Sequence, residues 1–157
     1  MKKRAYFDSQ KKYENIDEYF SIVSKAYIQK KEFRKALEVG QNINNPSEDA
    51  LLGLAGAAFE INAIPLALQY SKSVISRNPN NHRAYNMLGL SLMMDQGYLP
   101  AIQAFSVSNE LLNNTPAMNN LASCYSAINK FDKAIEWYIK ILEVSPDNSL
   151  TASNLML

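Results

Sequence analysis

The chain carries one histidine, His82, and one cysteine, Cys124, among its 157 residues. A metal cluster needs several such ligands at one place, and one of each does not supply it. Cysteine nucleophiles need a base within hydrogen-bond reach and a third group to orient that base. His82 opens one helical stretch and Cys124 sits beside Tyr125 in another, so the two are not placed for this chemistry. Cys124 reads instead as a small buried thiol. Gly53-Leu54-Ala55-Gly56 lies inside a helical pattern and does not follow a strand, which excludes a phosphate loop. The paired carboxylates Glu48 and Asp49 suit the positive end of a helix, not acid–base work. No catalytic residue, cofactor or metal site is expected, and the chain is read as a non-enzyme.

Charge narrows the field further. Sixteen basic and 15 acidic side chains leave a net charge of +1, which exerts no global pull on nucleic acid or anionic membrane. One basic cluster exists, Lys2, Lys3, Arg4, Lys11 and Lys12, interleaved with Tyr6, Phe7 and Tyr13. With no basic stripe elsewhere, residues 1–16 read as a solvated tail or a cap, not as an RNA or lipid contact. No apolar run follows the basic start, and no stretch approaches the ~18 residues of a membrane span. The single cysteine fits a reducing compartment. A cytoplasmic location is expected, or a periplasmic one if a signal was removed before this chain begins.

The elements that position these residues repeat. Ala67, Ala101 and Ala134 follow one another at 34 and 33 residues. Leu54-Ala55, Leu88-Gly89 and Leu121-Ala122 precede them, and Ser71, Phe105 and Tyr138 come four residues after. The pattern divides the chain into repeats at about 48–81, 82–114 and 115–148, with a degenerate one at about 17–47 around Phe33 and Ala36. Each reads as two helices: 17–30 with 34–44, 48–61 with 65–78, 82–95 with 99–112, and 115–128 with 132–145. Ser47, Asn81, Thr115 and Asn148 are candidate caps, with Pro116 at the first helical position. Asn62 and Asn129 occupy tight turns that favour a left-handed residue. The alanines mark close helix crossings, and Ile64, Tyr98 and Phe131 are expected to plug the turns. Residues 149–157 read as the start of a capping helix or of a further repeat.

Over residues 17–148 the chain resembles the tetratricopeptide repeat (TPR) family. The likeness is strongest in Asn120-Leu121-Ala122, Tyr125, Phe131, Ala134-Ile135, Tyr138 and Pro146. It implies an all-α fold, a right-handed superhelical solenoid of antiparallel helix pairs, with about three good repeats and one degenerate. In that family the first helices of the pairs line a concave groove. The groove positions carry over to Leu52, Gly56 and Phe59, to Arg83, Asn86, Met87, Leu90 and Met93, and to Asn119, Asn120 and Ser123.

Methionine suits surfaces that accept varied apolar partners, and Met87, Met93 and Met94 gather near Phe59 and Leu90. They form either a groove for an extended or helical segment or ordinary core between repeats. Asn86, Asn119 and Asn120 can donate and accept at once, which matches a peptide backbone; the alternative is solvated or capping asparagine. The two-carboxylate clamp of chaperone-binding TPRs is absent, since Lys25 lacks the following Asn–Lys set and Met87 stands where an arginine would be.

The resemblance implies a protein–protein interaction module, an adaptor or chaperone holding a partly apolar protein or peptide segment. In size the chain is similar to the TPR chaperones of bacterial type III secretion. Its asparagine–leucine pairs resemble those of tight-adherence pilus-assembly TPR proteins. The other reading is a scaffold that self-associates or docks through its N-terminal segment and an uncapped C-terminal end.

Overall fold

The computed structural model describes residues 16–148 together with Thr151 and Ser153. The basic segment 1–15 and the other residues of the 149–157 tail lie outside the described residues. Among the described residues there are eight helices and no strand: α1 (Ile16–Gln29), α2 (Phe33–Gly40), α3 (Glu48–Glu60), α4 (Ile64–Arg77), α5 (His82–Met94), α6 (Tyr98–Leu111), α7 (Thr115–Ala127) and α8 (Phe131–Val144). Seven follow the expected spans to within a residue or so. The exception is α2, which stops at Gly40 and not near residue 44. Glycine is a poor helix interior residue, and the chain beyond it is taken by other bonds. Asn42 and Ile43 close turns onto the carbonyls of Val39 and Gly40. The N–H groups of Asn44 and Asn45 each donate to the Asp17 carboxylate at 2.9 Å.

Helix starts are set by short polar side chains that accept from otherwise orphaned N–H groups. Ser47 accepts from Ala50 at 3.2 Å, Asn81 from Ala84 at 3.1 Å and Asn148 from Thr151 at 3.0 Å. The fourth cap is Asn114, which accepts from Ala117 at 2.9 Å. The expected cap, Thr115, is therefore the first helical residue and Pro116 follows it. Asparagine outranks threonine at a cap, and proline in the first turn still gives up no helical bond.

The turn inside each pair is built the same way four times. Lys31, Asn62, Gln96 and Asn129 all have φ near 60°. Each donates to the carbonyl three residues back, and the next residue donates five back, as in Gln96 to Met93 and Gly97 to Leu92. This closes the helix end with a left-handed residue. Glycine fits such a place best, yet Gly97 is the neighbour of the left-handed residue, at φ −77°. A Cβ on Gly97 would lie 3.2 Å from the Leu92 carbonyl oxygen.

The described residues fall into two compact units, divided within α4 between Tyr70 and Ser71. In the first, Ala36, Leu37, Leu54, Ala57, Ala58 and Ala67 form the buried cluster, with Tyr27 and Phe33 against it. Gly40 lets Leu54 approach the α2 backbone, since a Cβ there would come within 2.3 Å of the leucine methyl. Buried Ser24 donates its hydroxyl to the Ala36 carbonyl at 2.9 Å.

The second unit holds two clusters. Ala101 and Phe105 of α6 meet Leu121 and Cys124 of α7. Met118 and Ala122 of α7 meet Ala134, Tyr138 and Ile141 of α8. All three landmark alanines are buried. Of the expected turn plugs, Tyr98 packs on the first of these clusters and Ile64 is half-buried. Phe131 does not serve as a plug: it is 58% exposed.

Candidate functional site

The expected groove residues divide between the two units. In the first unit Leu52 is buried, so it presents no surface to a ligand. Its place among Leu51, Leu54 and Ala55 on an almost wholly apolar α3 explains this. Gly56 is half-buried, and Phe59 packs against the first-unit core. The Gly53-to-Gly56 stretch is helical.

In the second unit α5 and α7 come side by side, and a bond between them marks the contact. Asn120 Nδ2 donates to Asn86 Oδ1 at 3.2 Å. Next to it, Asn119 Oδ1 accepts from the Thr151 hydroxyl at 3.4 Å. These bonds use one N–H of Asn120 and two carbonyl oxygens. Among the described residues they leave the amide N–H groups of Asn86 and Asn119 and the oxygen of Asn120 unused, on three half-buried side chains. Ser123, one turn on, is exposed, with its hydroxyl turned back to the Asn119 carbonyl at 2.9 Å. Arg83 is exposed at the start of α5.

The apolar part of the same face is mixed. Leu90 and Met93 are half-buried and pack against the cluster around Phe105. Met87 is also half-buried but stands outside that cluster, and Met94 is 53% exposed. Core and surface roles are thus shared along one helix.

On the opposite side of α5, at the spacing Tyr85, Leu88 and Leu92, lies a hollow of about 350 Å³ that also reaches Lys72 of α4 and Ala104 and Val107 of α6.

Burial pushes the Cys124 thiol up to about 11, so it is held protonated at neutral pH. Among the described residues no group of three His, Cys, Asp or Glu side chains is placed to hold a metal ion. No helix among them is long and apolar enough to cross a membrane.

Residues 116–148 match the tetratricopeptide repeat family. A comparison with curated protein sequences gives no match. Among solved structures, the chain is similar to YrrB, a TPR protein with an unusual peptide-binding site, at TM-score 0.83 and 19% identity over 90% of this chain and 75% of that one. It is similar to MamA at TM-score 0.80 and 24% identity, over 89% and 84% of the two chains. It is also similar to residues 41 onward of MamA from Desulfovibrio magneticus RS-1, at TM-score 0.81 and 19% identity over 87% and 79%. At these identities the likeness is one of fold, and the fold is that of a TPR array.

Proposed function

We propose that this chain, a TPR array in fold, is a non-catalytic protein–protein interaction module. Its second unit holds an extended or helical segment of a partner on the face that α5 and α7 form together. The observation that carries this reading is the Asn86–Asn120 amide pair. The pair holds two amides together and leaves donors and an acceptor that no described residue uses. A peptide backbone presents the complementary carbonyls and N–H groups, and each such bond contributes about 1 kcal/mol net. Met87 and the exposed edges of Leu90 and Met93 then receive apolar side chains without demanding one shape. A structural neighbour, YrrB, has a peptide-binding site, which supports the reading by analogy of fold. The finer expectations, a chaperone role and a client in bacterial secretion or pilus assembly, rest on the sequence resemblance.

The test is affinity capture from native lysate with the wild type beside Asn86→Ala/Asn120→Ala and beside Ser123→Trp. Serine 123 is exposed, so the tryptophan blocks the face without entering the core. A protein caught by the wild type and lost with both variants supports the reading. Equal capture by all three contradicts it.

A second reading, a scaffold acting through its C-terminal end, is favoured by a different observation. Phe131, Ile135 and Ile139 form a stripe on α8 that is 58%, 45% and 48% exposed. Residues four apart share one side of a helix, and an exposed apolar patch of this kind marks a contact.

A further inference from the structure

The repeat itself shows where the second unit departs from its own rule. Leu54, Leu88 and Leu121 hold the same place in successive repeats. Leu54 and Leu121 are 1% and 0% exposed, whereas Leu88 remains half-buried. Leu121 is covered by the ring of Phe105. The residue equivalent to Phe105 is Ser71 ahead of Leu88 and Gly40 ahead of Leu54; Leu54 closes directly onto Gly40, whereas Leu88 stays half-buried beside a hollow. The hollow of about 350 Å³ opens beside Leu88 and is lined also by Tyr85, Leu92, Ala104 and Val107. One repeat later the equivalents of Ala104 and Val107 are Trp137 and Lys140. There the ammonium lies 4.2 Å from the indole centroid, and the tryptophan packs into both neighbouring clusters. The chain thus fills this position with an aromatic ring and a cation in one repeat and leaves it open in another.

Charge points to what fills it. Lys72 is the one charged side chain lining the hollow, it is exposed, and it has no ion-pair partner among the described residues. No acidic residue lines the site. We infer that the hollow is a second docking site, which takes an aromatic side chain from a partner protein whose neighbouring residue brings a carboxylate to Lys72. An aromatic anchor seated in an apolar pocket and ringed by polar contact is the usual form of a strong interface position. Because Tyr85, Leu88 and Leu92 face away from Asn86, Leu90 and Met93 on the same helix, the site is independent of the peptide face proposed above.

The experiment titrates a short acidic peptide with one central phenylalanine into the ¹⁵N-labelled protein. Two control peptides replace the phenylalanine with alanine or the acidic residues with glutamine. Backbone amides of Leu88, Leu92 and Val107 should shift with the first peptide, and either control should bind at least tenfold more weakly. Lys72→Glu, at an exposed position, should weaken binding by a similar factor. Ala104→Trp, which copies the residue of the next repeat, should abolish it. If Ala104→Trp does not fold, Lys72→Glu and the two control peptides carry the test. The proposal is overturned by shifts centred on Asn86 and Asn120, by no shift at millimolar peptide, or by full binding to Lys72→Glu.

Discussion

The ring of Phe105 lies against the backbone of Gly89: a Cβ at residue 89 would come 2.6 Å from the ring carbon Cε1. The equivalent positions are Ala55 with Ser71 and Ala122 with Tyr138. Only in the repeat with phenylalanine does the chain have glycine, and only there is the aromatic ring fully buried, since Tyr138 keeps 8% of its surface. The glycine is matched to volume, not to a turn. Gly89→Ala is therefore expected to destabilise the protein by about 1–3 kcal/mol, the range for an overpacked core. Phe105→Leu in the same chain should recover part of that loss, because the two residues are in contact and their effects do not add. Urea unfolding midpoints of the two single variants and the double variant check this.

Gln96 carries the left-handed turn at φ 60°. A residue with a side chain pays for that conformation, and glycine does not. Gln96→Gly should raise stability by about 0.5–1 kcal/mol, after allowance for the extra freedom of the unfolded chain. Gln96→Val should lower it, since a branched side chain tolerates positive φ least. Thermal unfolding of the two variants gives opposite signs if the turn is as described.

Asp17 binds the loop that follows α2. The N–H groups of Asn44 and Asn45 and the Asn44 side chain all donate to its carboxylate, and the backbone bonds hold its pKa below the ordinary value of 3.8. A depressed folded pKa stabilises above the unfolded value and loses that contribution as pH falls through the folded one. The wild type should therefore lose thermal stability relative to Asp17→Asn as pH is lowered from 5 to 3, and the two should converge at the acid end. Melting temperatures across that window decide it.

Cys124 is fully buried, and its thiol is pushed up to about 11. Only the thiolate attacks disulfide reagents. At pH 8 the folded protein should react with such a reagent far more slowly than the urea-unfolded chain, at a rate set by opening. As pH rises past the ordinary thiol range the unfolded chain ionises first, so stability should fall toward pH 11.

The helices were legible because their signals are local or periodic. Ala67, Ala101 and Ala134 mark each pair at a fixed interval, and proline and asparagine mark the ends. Asn62 and Asn129 were readable as left-handed turns because asparagine tolerates that region. Lys31 and Gln96 were not, because their side chains carry no such preference and only the geometry of the turn forces them. The cap before α7 is one residue earlier than expected, at Asn114, because the pattern of a repeat places a helix start only to within a residue or two. The expectation for the face of α5 and α7 came from the family resemblance, which says nothing of the burial along it. Leu52 is inside because its neighbours on α3 are apolar all round. The bond from Thr151 to Asn119 spans 32 residues and has no local signature. The exposure of Phe131 likewise depends on what packs beside it, not on its own type.

Photo-crosslinking in native lysate shows whether the partner lies on the face of α5 and α7. Benzoylphenylalanine is placed singly at Arg83, at Ser123 and, as a comparison, at Ile135; all three positions are exposed. One and the same partner is expected at residues 83 and 123 and not at 135. Capture of that partner at 135, with none at 83 or 123, would contradict it and move the contact to the stripe on α8.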